Sequence, residues 1–136
     1  MPNLSGGCAC GAIRYEVKAD PVAMFNCHCR DCQRASGSAY AAIVVAPRTG
    51  VDIRGEPRYH RIVGRSGKAL ERGFCPTCGS QVTVKIERSP HLLALQAGSL
   101  DNPSAYKPAM DVFTESAQPW DHMSPATKKL PAGLPT

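Results

Sequence analysis

The sequence predicts a mainly β fold, and three observations carry this prediction. Apolar and polar residues alternate in several segments, as they do in strands with one buried face. Glycine and proline, at twelve residues each among 136, separate most of these segments and favour short elements joined by turns. Only residues 29–35 have room for a turn or two of helix.

The first strand candidate is residues 12–18, in which Ile13, Tyr15 and Val17 alternate with charged residues. The Gly-Arg-Ser-Gly-Lys run at 64–68 has its glycines too close together for a phosphate-binding loop, so it is predicted to be a hairpin turn. Further strands are predicted at residues 42–45, 58–63, 68–74, 81–86, 92–97 and 111–114.

A chain of this length is expected to form one domain, here at residues 1–120. Residues 121–136 contain three prolines and are expected to form a loosely held tail. The first residues lack the basic and apolar regions of a signal peptide, and no apolar run approaches membrane-spanning length. The protein is therefore expected to be cytoplasmic and to have no membrane partner. The oligomeric state is not readable from the sequence.

All seven cysteines lie in three short-spaced groups: Cys8 with Cys10, then Cys27, Cys29 and Cys32, then Cys75 with Cys78. An odd number cannot all pair within one chain, and disulfides are rare in a reducing cytosol. A C-x-C pair strains an internal disulfide, whereas C-x-C and C-x-x-C both suit metal chelation. The pattern therefore favours zinc over a redox dithiol or isolated buried thiols.

Seven thiolates divide most economically into a site of four and a site of three. A four-cysteine site is closed and structural, whereas a three-cysteine site keeps a position for water or substrate. The triplet Cys27, Cys29 and Cys32 is complete as a three-point ligand, which leaves two pairs for the closed site. His28 and Asp31 are rival fourth ligands of the triplet, although the side chain of His28 points away from its neighbours in an extended segment.

These cysteine groups and their flanking residues resemble the glutathione-dependent formaldehyde-activating enzyme family, which includes the CENP-V-like proteins. The resemblance extends from Gly6 to Trp120. In chain order the matching segments are Gly-Gly-Cys-Ala-Cys-Gly at 6–11 with the strand at 13–16, Cys-His-Cys-Arg-Asp-Cys at 27–32 with 35–38, Arg-Gly-Phe-Cys-Pro-Thr-Cys-Gly-Ser at 72–80, Gly-Ser-Leu-Asp at 98–101 and Pro-Trp at 119–120.

The resemblance implies the zinc-binding β-tent fold, in which several small bent antiparallel sheets surround a structural zinc. It implies two zinc ions per chain, a carbon-sulfur lyase activity and a glutathione adduct of formaldehyde as substrate. Many relatives carry a histidine shortly after the proline at the position of Pro108, whereas this chain has Ala-Met-Asp-Val at 109–112. Because of this departure, the resemblance does not determine which electrophile the protein acts on. The implied ligands are Cys8, Cys10, Cys75 and Cys78 for structural zinc, and Cys27, Cys29 and Cys32 for catalytic zinc.

The open zinc position would bind a thiol and lower its pKa, so that the sulfur adds to an aldehyde carbon to give a hemithioacetal. Neighbouring residues suggest supporting roles, since a cationic wall would attract anionic glutathione and polar groups would steady the developing alkoxide. The candidates are Arg30, Arg34, Lys68 and Arg72 for the wall, Arg34, Ser36 and Ser38 for the alkoxide, and Tyr40, Phe74 and Trp120 for a pocket.

Two other functions remain open from the sequence. One is a non-enzymatic zinc module that binds protein or nucleic acid, and the other is a thiol or metal sensor that uses Cys27, Cys29 and Cys32. The net charge of +5 is dispersed along the chain and is not gathered on a recognisable reading element. That dispersion argues against nucleic acid as the partner.

Overall fold

The computed structural model describes residues 4–64 and 67–134, and its elements are mostly strands. The single α-helix of the described residues is α1 (Arg30–Ser36), and no helix among them is long and apolar enough to cross a membrane. The strands are β1 (Leu4–Gly7), β2 (Arg14–Val17), β3 (Ala23–Cys27), β4 (Ala41–Pro47), β5 (Val51–Arg54), β6 (Arg58–Val63), β7 (Ala69–Phe74), β8 (Gln81–Ile86), β9 (Leu92–Gln96), β10 (Met110–Val112) and β11 (Lys128–Leu130).

The described strands form a three-stranded sheet in the order β1-β2-β5 and an eight-stranded sheet in the order β11-β10-β3-β4-β9-β8-β7-β6. Strand β10 pairs in parallel with β3 and β11, whereas the other pairs are antiparallel. An irregular register between Gly73 and Phe74 interrupts the pairing of β7 with β8. The predicted mainly β fold with bent sheets is confirmed, and the long sheet with its parallel strands was not foreseen.

Strand β4 lies at the centre of the core and is apolar on both faces, as strands buried on both sides generally are. Val44 and Ala46 pack into a cluster with the interior residues of β2, while Ile43 and Val45 pack into a second cluster. The first cluster contains Cys8 and Cys75, and Cys32 packs against the second. The two cysteine groups therefore pack against different hydrophobic clusters of the core.

Seven predicted strands are found, with small differences at their ends. Strands β1, β3, β5 and β11 were not predicted. The glycines of β1 resemble a turn, but a Cβ at Gly6 would lie 2.3 Å from the carbonyl oxygen of Ser99, so close backbone packing requires glycine there. The predicted strand at 111–114 ends early because Phe113 adopts a left-handed conformation, with φ of 56°.

The hairpin predicted at 64–68 joins β6 to β7, and the Gly64 amide donates to the Lys68 carbonyl over 2.8 Å. Arg65 and Ser66 of this turn lie outside the described residues. The division into a domain at 1–120 and a tail at 121–136 remains a prediction. Within residues 121–136, strand β11 pairs with β10, and the Lys128 amide donates to the Ala109 carbonyl.

Candidate metal centres

The four cysteines predicted to form a closed site come together from two loops. One loop follows β1 and carries Cys8 and Cys10, and the other connects β7 to β8 and carries Cys75 and Cys78. Their four Sγ atoms all lie within 4.8 Å of one another. The Sγ of Cys10 is 3.6 Å from that of Cys8 and 3.7 Å from that of Cys75.

These distances suit a tetrahedral zinc ion. A Zn–S bond of about 2.3 Å places tetrahedral sulfur ligands about 3.8 Å apart. The Sγ of Cys8 accepts the Ile13 amide at 3.2 Å, and the Sγ of Cys75 accepts the Cys78 amide at 3.5 Å. Such amide dipoles stabilise thiolates, and the four-sulfur donor set is one that zinc prefers.

Ser80 connects the two loops of this group. Its hydroxyl accepts the Ala9 amide at 3.0 Å and lies 3.2 Å from the Sγ of Cys78. Hydrogen bonds from the Ser80 side chain and backbone lower the pKa of Cys78 to about 5. Gly79 reverses the chain with a φ of 80°, a conformation that strains most other residues.

The second cysteine group surrounds the start of α1. Cys27 ends β3, Cys29 is the N-cap residue of α1, and Cys32 lies in its first turn. Their three Sγ atoms lie within 4.8 Å of one another. The Sγ of Cys29 accepts the Cys32 amide at 3.3 Å, so the cysteine occupies the role that Ser or Asp usually takes at a helix start. We call these three residues the triad.

The sulfurs of the triad compete for protons. The pKa of Cys29 is lowered to about 2, because hydrogen bonds from the thiols of Cys27 and Cys32 stabilise its thiolate. The pKa of Cys27 is raised, because its thiol donates to Cys29 and Cys32 and is buried. A divalent cation would relieve this competition, since coordinated thiols are deprotonated. The donor set of the triad therefore fits a thiophilic metal such as zinc.

Neither rival fourth ligand joins the triad in the described part of the chain, where the cluster of close ligand atoms comprises three cysteines alone. The side chain of His28 is fully buried and points away, with Nε2 2.7 Å from an Asp111 carboxylate oxygen. Burial alone would raise the pKa of Asp111, but hydrogen bonds led by that from His28 outweigh it and lower the pKa. Asp31 lines a neighbouring cavity.

That cavity has a volume of about 420 Å³ and lies between α1 and the strands β6 to β8. Arg72 of β7 connects it to the triad, because its guanidinium lies 3.8 Å from the Sγ of Cys32. Sequence reasoning named Arg34, Arg72 and Phe74 of its lining as candidates. Among the described residues, the lining comprises Asp31, Arg34, Ala35, His60, Ile62, Arg72, Phe74 and Gln81.

The remaining candidates lie elsewhere. Arg30 donates to the side chain of Gln33, and Ser36 donates to the Tyr40 carbonyl at 3.1 Å, so both have local structural roles. The Tyr40 ring packs against His28, with the ring centroids 5.1 Å apart. Lys68 is not part of the cavity lining, Ser38 is exposed, and Trp120 is 63% exposed.

Sequence reasoning missed His60, Ile62 and Gln81 in the cavity lining, and Asp111 as the buried partner of His28. The strand that carries the first two pairs with β7, and only that pairing brings it to the cavity. Asp111 had a usable signal, because it is a lone carboxylate between two apolar residues, Met110 and Val112, at the start of a predicted strand. A charged residue in such apolar surroundings indicates a buried polar partner.

A crystal structure of a Rhodobacter sphaeroides protein is similar to this chain. Its TM-score is 0.56 at 20% identity, and the match covers 72% of this chain and 88% of that one. The likeness shows a shared fold.

Residues 3–116 match the family described as glutathione-dependent formaldehyde-activating enzyme. Three similar proteins are provisionally named as such enzymes. The match is 30% identical over 73% of this chain in Halomonas elongata, 32% over 66% in Colletotrichum graminicola and 28% over 63% in Penicillium rubens. It spans 66% of the Halomonas protein and 49% and 47% of the fungal ones. With the family match covering most of the chain, this protein belongs to the glutathione-dependent formaldehyde-activating enzyme family.

Proposed function

We propose that this protein is a zinc-dependent carbon-sulfur lyase that acts on the adduct of glutathione, or a related anionic thiol, with formaldehyde or a similar small electrophile. The observation that supports this proposal most strongly is the three-sulfur triad beside a cavity whose lining includes two arginines. The second group, with four sulfurs, is proposed to hold a structural zinc ion, giving two per chain. The reaction is proposed to take place in the cytoplasm.

A zinc ion on the triad would supply an open position at which the sulfur of a thiol loses its proton near neutral pH. In the synthetic direction, the thiolate sulfur forms a bond to the aldehyde carbon, and the carbonyl oxygen takes up a proton. In the lyase direction the hydroxyl proton leaves and the carbon-sulfur bond breaks, returning thiolate and aldehyde. No oxidant or reductant is consumed in either direction.

The cavity supports an anionic thiol as the substrate. Its lining includes two arginines, Arg34 and Arg72, and one acidic residue, Asp31. Guanidinium groups bind carboxylates through paired hydrogen bonds, and glutathione carries two carboxylates. Ile62 and Phe74 add an apolar wall. The Arg72 guanidinium beside Cys32 is also the candidate group for steadying the developing alkoxide.

The direct test is the rate of adduct formation and breakdown between glutathione and formaldehyde, measured by exchange NMR with zinc-loaded protein. We expect an exchange rate that rises in proportion to protein concentration and returns to the uncatalysed rate after chelation of zinc. An uncatalysed rate with fully zinc-loaded protein would contradict the lyase. A salt-sensitive gel shift with duplex DNA would then support the nucleic-acid module instead.

The arginines of the cavity lining give a separate prediction. Changing Arg34→Gln is expected to raise the KM for glutathione about tenfold with little change in kcat, because one charge-assisted hydrogen bond is worth about 1.5 kcal/mol. An uncharged thiol such as 2-mercaptoethanol should be unaffected. Arg54→Gln on β5 is the matched control, since its side chain is 80% exposed and outside the cavity lining. Equal KM changes for both thiols would contradict a carboxylate contact at Arg34.

A further inference from the structure

A buried polar network surrounds His28, in the segment that carries the triad. His28 stands between two triad cysteines and is fully buried. Its Nε2 is 2.7 Å from Asp111 and its Nδ1 is 3.3 Å from Asp121, so one imidazole faces two carboxylates. The exposed fractions of these carboxylate side chains are 1% and 11%. Burying an ionisable group costs free energy unless the group is paired. These buried carboxylates therefore need hydrogen-bonding or oppositely charged partners.

The partners of the Asp111 carboxylate come from β3 and from the C-terminal segment of the chain. Asn26 of β3 donates to one carboxylate oxygen at 3.1 Å. Thr127 donates to the other oxygen, and the Lys129 ammonium lies 3.4 Å from it. Asp111 therefore joins the strand that ends at Cys27 to the C-terminal segment. Asp121 lies 3.3 Å from the other ring nitrogen, so the C-terminal segment contacts both His28 and its partner Asp111.

The network acts on the triad through the backbone. Because successive side chains of an extended segment point to opposite sides, a His28 ring held in the interior directs Cys27 and Cys29 the other way. The His28 amide also donates to the Val112 carbonyl at 2.9 Å, next to Asp111. Ring and backbone are thus held by the same strand, β10. Groups that orient ligands in this way commonly change metal affinity 10–100-fold when they are replaced.

We propose that His28, Asp111 and Asp121 are positioning residues that fix the Cys27–Cys29 segment for metal binding, and that the C-terminal segment is consequently part of the triad site. This inference rests on the proposed metal site at the triad. It assigns a function to residues 121–130 that a dispensable tail would lack.

The test compares Asp111→Asn and Asp121→Asn with the native chain. Each change keeps the side-chain shape but removes a carboxylate. Asp52→Asn is the matched control, because this carboxylate lies on β5 of the smaller sheet, is exposed and pairs with Lys18. Each protein is loaded with zinc and titrated with a chromophoric zinc chelator, and Cys29→Ser identifies the release of zinc from the four-cysteine group. Visible absorption of the cobalt-substituted proteins reports the ligand geometry of the triad.

We expect Asp111→Asn to lower the zinc affinity of the triad at least about tenfold and to change its cobalt spectrum, with the four-cysteine group unaffected. Asp121→Asn should act in the same direction more weakly, and it decides the matter if Asp111→Asn does not fold. Unchanged triad affinity, or equal losses at both groups, would overturn the positioning role. A native chain that binds zinc only at the four-cysteine group would instead overturn the triad site itself, and this inference with it.

Discussion

Cys75→Ser is expected to abolish the cooperative folding transition. Cys75 is fully buried in the core cluster that joins the two sheets, and its sulfur accepts two backbone amides. Structural zinc contributes about 10–16 kcal/mol in small zinc domains, which is as large as the whole stability of a typical domain at about 5–15 kcal/mol. Circular dichroism and thermal denaturation of the purified variant measure the effect.

The control for this prediction is Ser80→Ala at the same group. It removes the hydroxyl next to Cys78 but keeps all four sulfurs, so the variant should fold and retain its zinc. A Cys75→Ser protein that unfolds cooperatively at the native temperature would show that the four-cysteine group does not hold the fold together.

Cys29→Ser is expected to reduce the exchange rate of the glutathione adduct by more than about 100-fold while the fold persists. The change removes a ligand itself, which should cost more than the 10–100-fold of a supporting group. Serine is among the best N-cap residues, so its hydroxyl can accept the Cys32 amide that the Cys29 sulfur accepts now. Zinc content should fall from two ions per chain to one.

Ser104→Ala supplies the matched control, since this exposed hydroxyl lies outside both cysteine groups and the cavity lining and is expected to leave both rate and zinc content unchanged. Retained activity in Cys29→Ser protein that has lost one zinc ion would contradict a role of the triad metal in the reaction. Unfolding of Cys29→Ser, with only one zinc ion in the native protein, would contradict the separation into two sites.

The grouping of the cysteines was readable from sequence because ligand spacing is local. Cys27, Cys29 and Cys32 lie within one short segment, so their approach depends on a single turn and helix start. Cys8 and Cys75 are far apart in sequence. Their association could still be predicted, because seven cysteines divide most economically into one group of four and one group of three. Strands with a clear alternation, such as β2, were readable for the same reason, since their pattern depends only on which face is buried.

The surroundings of the triad were not readable, because they depend on strand order. His60 and Gln81 reach the cavity through the pairing of β6, β7 and β8. Asp111 reaches His28 because β10 lies beside β3 in a parallel arrangement that local patterns do not specify. The attachment of β11 likewise required the register with β10, which a proline-rich segment does not suggest.

The measurement that tests the central claim most directly is a crystal structure of protein purified without chelator and soaked with glutathione, using anomalous scattering at the zinc edge. The account predicts one zinc peak among Cys8, Cys10, Cys75 and Cys78, and a second among Cys27, Cys29 and Cys32 with the glutathione sulfur as its fourth ligand. A triad without zinc, or one whose fourth position is filled by a protein side chain, would contradict it.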